Sequence, residues 1–151
     1  MLSRPTTDAI LEDLAREVRE HILPLIDDPA VRVNLEMMEQ LLTASAVRAA
    51  HEIAWMHDEV VQMIEYAAQV RDHTGDSAVD DALAAYLAGR SDSLHLAAQV
   101  ENYSLAGEAF GHALTAAVAH QDLLDKGAAL VRTRRDAETQ IRPGFYFPGR
   151  S

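Results

Sequence analysis

Seven histidines among 151 residues, in a chain that also carries 24 acidic side chains, are the first feature that could do chemistry. Imidazole and carboxylate together build metal sites and acid–base pairs when spacing puts them on one face. A di-metal helical bundle needs Glu-x-x-His pairs on facing helices, and no glutamate here has a histidine three positions later. Glu17/His21 and Glu108/His112 lie four apart, but the helical wheel turns Glu101, Glu108 and His112 away from Tyr103, Phe110 and Leu114, toward water. A metal-dependent enzyme would have to draw on His51, His57, His112 or His120, and the expectation is no metal and no cofactor. Zero cysteines exclude thiolate zinc sites and disulfides and fit a reducing cytoplasm. Gly-x-Ser-x-Gly, a phosphate-binding Gly-Lys loop and His-Glu-x-x-His are all missing, so no catalytic residue is named and a non-enzyme is favoured.

Three other groupings stand out. His57 borders Ile53, Val60 and Ile64 on the wheel and is expected to be partly buried. Arg134 falls among Leu123, Leu130 and Ile141, so Glu52, Glu59 or Glu39 is a potential carboxylate partner. The alternative is a stem lying on the core with its head in water. Glu52, His57, Glu59 and Arg134 thus form a candidate buried polar cluster. Gly107 and Gly111 fall on the inward wheel face beside Tyr103 and Phe110. Each mid-helix glycine costs about 0.5–1 kcal/mol against alanine, which implies either a closely packed neighbour or room for a ligand. The ligand reading is a pocket lined by Trp55, Met56, Tyr103, Gly107, Phe110 and Gly111. Finally, Phe145, Tyr146 and Phe147 sit in a Pro- and Gly-rich tail, 143–151, and exposed aromatics would be a liability. They are expected to dock either on their own bundle or as an interface with a second subunit.

These residues need elements to position them. Prolines 5, 24, 29, 143 and 148 leave 30–142 proline-free, alanine is abundant, and strand-like alternation is missing. The fold class is all-α: an up-and-down helical bundle of four to six helices with one long central helix, in a single domain over 1–142. Thr6 or Thr7 caps a first helix that Pro24 ends or kinks, and Asp28-Pro29 restarts the chain. The stripe from Leu35 to Ala67 favours one continuous helix over about 30–71, with a break near Thr43–Ser45 as the alternative. Gly75 stops it. Ser77 caps a short helix with Val79, Ala82, Leu83 and Tyr86 inward. Asp92 or Ser93 starts another, with Leu96, Val100, Tyr103, Phe110, Leu114 and Val118 as its apolar face. A last helix is either continuous with that one or separated from it near Gln121.

Composition narrows the partners. A net charge of −11 argues against nucleic acid and anionic membranes. The apolar runs are too short to span a bilayer, and no basic segment leads an apolar one after Met1, so a leader is not expected. Lys126, Arg132, Arg134, Arg135, Arg142 and Arg150 gather at the acidic chain's far end; the distribution suits association of complementary ends, but a solvated basic helix is the preferred reading. A homo-oligomer, a dimer first, is expected.

Two resemblances follow from short segments. His51-Glu52-Ile53-Ala54-Trp55-Met56-His57 is similar to the first histidine helix of DinB-like bundles, which want two late histidines four residues apart; His112 and His120 are eight apart. Arg4-Pro5-Thr6, Ile10-Leu11, Val18-Arg19, Ile22-Leu23-Pro24 and Arg32-Val33 resemble a bacterial family of small helical proteins encoded beside aminoglycoside-phosphotransferase-like kinases and near acyl-CoA dehydrogenases. This second resemblance covers about the first forty residues and brings no catalytic residue. It implies a non-catalytic accessory role near such a kinase. A small-molecule-binding bundle and a His/Glu metal-binding bundle are the alternatives.

Overall fold

The computed structural model describes residues 4–141, so Phe145, Tyr146 and Phe147 lie outside the described residues. Those residues are almost entirely helical and contain no strand. Five α-helices follow one another: α1 (Thr7–Glu17), α2 (Pro29–Thr74), α3 (Ser77–Gly89), α4 (Leu96–Ala116) and α5 (Gln121–Ile141). The expected all-α bundle with one long helix is therefore present, and α2 runs unbroken for 46 residues through Thr43–Ser45. No helix among the described residues is long and apolar enough to cross a membrane. The chain comprises two compact units, Met1–Glu52 with Ala137–Ser151, and Ile53–Asp136.

In the N-terminal unit, helix boundaries follow local chemistry. Thr6 occupies the N-cap position of α1, but its hydroxyl binds the Asp8 carboxylate instead of a helix N–H and holds that carboxyl below its ordinary value. Pro24 has no N–H to donate and crowds the preceding turn. The chain accordingly widens into a π turn over Val18–Ile22, with the Leu23 N–H reaching the Val18 carbonyl, then tightens into a 3-10 turn over Leu23–Leu25. Asp28 caps α2 as expected, accepting from the N–H groups of Ala30 (2.8 Å) and Val31 (3.3 Å). Arg19 donates to Glu39 at 2.8 Å, linking the π turn to α2. Among the described residues, Ala15, Val18 and Ala46 are the buried apolar ones of this unit.

The second unit, residues 53–136, has a core. Val60, Met63, Tyr66, Ala67 and Val70 of α2 meet Val79, Ala82, Leu83 and Tyr86 of α3, Ala106, Ala109, Phe110 and Ala113 of α4, Ala117, and Leu123 of α5. Gly75, at φ +67°, makes the left-handed turn that ends α2 and lets α3 fold back. Asp76, not Ser77, caps α3, because its carboxylate accepts from both Ala78 and Val79 N–H. The face of α3 is as the spacing predicts.

The face of α4 is so in part: Phe110 is buried, and Tyr103 and Leu114 pack against the core. Leu96, Val100 and Val118 are exposed, and the buried side is Gln99, Asn102, Ala106, Ala109, Phe110 and Ala113. Small residues let helices approach closely, so α4 packs through alanine and leaves its larger aliphatics on the flanks. The helix also starts at Leu96 instead of Asp92 or Ser93. Ser91 and Ser93 hydroxyls accept from the N–H groups of Ser93 and His95, turning the chain locally before the helix begins. A 3-10 turn at Ala117–Ala119 and an extended His120 separate α4 from α5.

Tyr66 is the centre of this core. Its ring meets Phe110 edge-on at 5.3 Å and its hydroxyl donates to the Leu123 carbonyl at 3.1 Å, tying α2 to α5 across 57 positions. Gly127 is what admits it. A Cβ there would lie 2.5 Å from Leu114 Cδ2 and 2.6 Å from the Tyr66 oxygen.

Candidate functional site

The proposed polar cluster separates into three places. Glu59 and Arg134 do meet: Arg134 Nε lies 3.8 Å from Glu59 Oε2. Tyr103, expected as a pocket wall, joins them by donating its hydroxyl to Glu59 at 2.5 Å, with the Arg134 guanidinium 5.2 Å above its ring. The arginine side chain is 44% exposed, so its stem crosses the aromatic ring while its head reaches water. Glu52 instead pairs with Arg48 one turn earlier on the same helix, and Glu39 with Arg19. His57 is exposed, not partly buried. It lies one step outside the stripe, because the buried side of α2 is centred on Val60, Met63 and Ala67 instead of Ile53 and Ile64.

The expected glycine pocket has a different character. Gly111 is exposed and Gly107 half-buried, and a Cβ at either would meet nothing within 4 Å. Phe110 is turned into the core against Tyr66, Trp55 and Met56 are half-buried, and the Tyr103 hydroxyl is taken by Glu59. The close approach that a mid-helix glycine signals is at Gly127. None of these six residues lines either cavity described next.

One cavity, of about 640 Å³, is a wide groove between the last turn of α2 (Gln69, Asp72, His73) and the start of α5 (His120, Asp122, Lys126). His73 and His120 meet edge-on there, with centroids 4.8 Å apart at 88°. This pair was not singled out because 47 positions separate its members. Asp72 is engaged by Arg71 at 2.7 Å, which raises the affinity of that guanidinium for its proton, and Lys126 donates to Gln69 at 3.3 Å. Among the described residues no group of three or more histidines and carboxylates is placed to hold a metal ion.

The second cavity is smaller, about 200 Å³, and lies under the α3–α4 connection. Val60, Val61, Tyr86 and Leu94 form its apolar lining, and His57, Arg90 and Asp92 its polar one. Two buried amides set its shape. Asn102 grips Ser91 twice, accepting from its N–H and donating to its carbonyl, both at 2.8 Å, and Gln99 donates to the Ser93 carbonyl at 2.7 Å. A buried amide without partners costs several kcal/mol, so these hydrogen bonds fix the connection over residues 90–95.

The third feature is a surface. In the N-terminal unit Ile10, Leu14, Ile22, Leu25, Val31, Val33, Met38 and Leu41 are all exposed, Leu25 by 79%. The charges of the same helices are largely paired along them: Asp13 with Arg16, Glu36 with Arg32, Glu52 with Arg48. No protein-family model matches this sequence, and no curated protein or solved structure matches it either.

Proposed function

We propose that this protein is a non-catalytic interaction protein that assembles through its N-terminal unit, with a second copy of the same chain as the first occupant. The observation that carries the reading is an imbalance among the described residues of that unit: eight large apolar side chains are exposed against three buried apolar residues, two of which are alanines. Within Met1–Glu52, α1 and the first half of α2 alone cannot enclose an apolar stripe between them; four helices can. A second copy presenting the same face supplies the other two by a two-fold, self-complementary contact. Eight such side chains offer several hundred Å² of apolar surface, the same order as the ~800 Å² each partner gives to a standard interface. Asp13, Glu36 and Glu39 already have arginine partners, which lowers the cost of bringing them near an apolar contact.

The resemblance of Arg4–Val33 to small bacterial helical proteins adds an accessory role beside a phosphotransferase-like kinase, and the cysteine-free composition supports the cytoplasm as the compartment. Sedimentation equilibrium of the full chain tests the assembly. The expected result is a dimer for the wild type and a monomer of unchanged helicity for Leu14→Glu combined with Met38→Glu. A wild type that sediments as a monomer at ~100 μM, well above the Kd of a specific dimer, overturns the reading.

A further inference from the structure

We infer that the cavity under the α3–α4 connection is a binding site for a small carboxylate with a compact apolar body. At about 200 Å³ it falls below the ~300–1,000 Å³ of pockets for larger ligands. It suits a short branched acid and excludes a nucleotide or an acyl-CoA. The site lies wholly within the second unit and is independent of the assembly face.

Its polar edge is unspent. Among the described arginines, Arg4, Arg90 and Arg132 have no carboxylate within salt-bridge distance, and of these Arg90 lines a cavity. Asp92 is two residues away and lines the same space, yet the two do not pair. His57, on α2 at the cavity edge, likewise makes no hydrogen bond or ion pair with a described residue. A guanidinium beside an apolar wall is the arrangement that takes a carboxylate by a forked hydrogen bond while Val60, Val61 and Leu94 cover the ligand's alkyl end.

The backbone carrying Arg90 is also set in advance. Asn102 and Gln99 are 7% and 3% exposed, and they hydrogen-bond Ser91 and Ser93 of the connection. Holding that backbone before a ligand arrives reduces the ordering cost of binding. Asp92 opposes a bare anion but would accept from an ammonium, so the amino acid and the free acid share the carboxylate and differ at this one residue.

Methyl-resolved NMR of the full chain tests the site with three probes: 3-methylbutanoate, valine and 3-methylbutylamine. Saturable shifts at Val60, Val61 and Leu94 are expected with at least one carboxylate at ~10 mM or below, and none with the amine. Arg90→Gln, at an exposed position, is expected to weaken that binding by ~10-fold while resonances of the Tyr66–Phe110 core stay in place. Val61→Trp, also exposed, fills the space and abolishes it. Asp92→Asn separates the two sources: it weakens valine if the amino acid is the better ligand and strengthens 3-methylbutanoate if the free acid is. No saturable shift with either carboxylate, equal binding by Arg90→Gln, or the amine binding as tightly as the acids each overturns the inference.

Discussion

Leu83 and Met38 are both long aliphatic residues on well-formed helices, yet Leu83 is 4% exposed and Met38 52%. The difference lies in what surrounds them. The core that buries Leu83 draws on α2, α3, α4 and the start of α5, and holds alanines and three aromatic rings, Tyr66, Tyr86 and Phe110. In the N-terminal unit the buried apolar residues among those described are Ala15 of α1, Val18 of the π turn and Ala46 of α2, while Ile10 and Leu14 of α1 stay outside. Amphipathic periodicity makes a stripe in both units; enough helices to enclose it are present in one. The second unit is held by burial, whereas the first is held by a cap, a proline-shaped turn and surface ion pairs that are individually worth about 1 kcal/mol or less.

The largest effect that would break this comparison is a truncation in each unit. Leu83→Ala is expected to cost about 2–5 kcal/mol, through lost transfer energy and a cavity. Met38→Ala, measured at dilution where the chain is monomeric, should stay within about 0.5 kcal/mol. Urea unfolding followed by circular dichroism reads both. Comparable losses would show that the N-terminal face has a partner within the chain, and the contrast would fail.

Glycine gives a finer version of the same contrast. At Gly127 a methyl group would press on Leu114 and on the Tyr66 hydroxyl, which is committed to the Leu123 carbonyl. Overpacking of this kind costs about 1–3 kcal/mol, against a helix-propensity gain of about 1. Gly127→Ala is therefore expected to lose up to about 2 kcal/mol on thermal melting. Gly107→Ala, with nothing within 4 Å, should gain about 0.5–1 kcal/mol instead. The opposite signs are the test.

These two glycines also mark how far the sequence could be read. Asp28-Pro29, Gly75 and the face of α3 were legible because a cap, a left-handed turn and a four-residue stripe are local signals. The face of α4 was legible only at Tyr103, Phe110 and Leu114, since hydropathy ranks Val100 and Leu96 above alanine, and buried Gln99 and Asn102 look polar until their partners on the connection are seen. Gly127 stands out only once Tyr66, 61 positions earlier, is placed beside it. The candidate sites suffered most. Glu59 and Arg134 come together, but Tyr103 completes them, and the His73–His120 contact depends on where two helix ends fall. Such pairings are tertiary facts with no spacing to announce them.

The smallest effect concerns protons, and it separates the units by sign. Burial pushes the Tyr66 hydroxyl above its ordinary 10.0, because the ionised ring oxygen would lose water without a compensating cation. A raised folded value contributes stability fully present below pH 10.0 and lost as pH rises through the folded value. Asp8 moves the other way: the Thr6 hydroxyl stabilises its carboxylate, so its contribution is present above 3.8 and lost as pH falls through the lowered folded value. Alkali should therefore act first on the core unit and acid on the start of α1. Thr6→Val, followed by carboxyl-carbon NMR, is expected to move the Asp8 midpoint back up toward 3.8 and to leave the alkaline titration of Tyr66 unchanged. A Tyr66 midpoint that shifted with it would mean that α1 and the Tyr66 core respond as one body, and the division drawn between a buried unit and a surface-tied one would have to be abandoned.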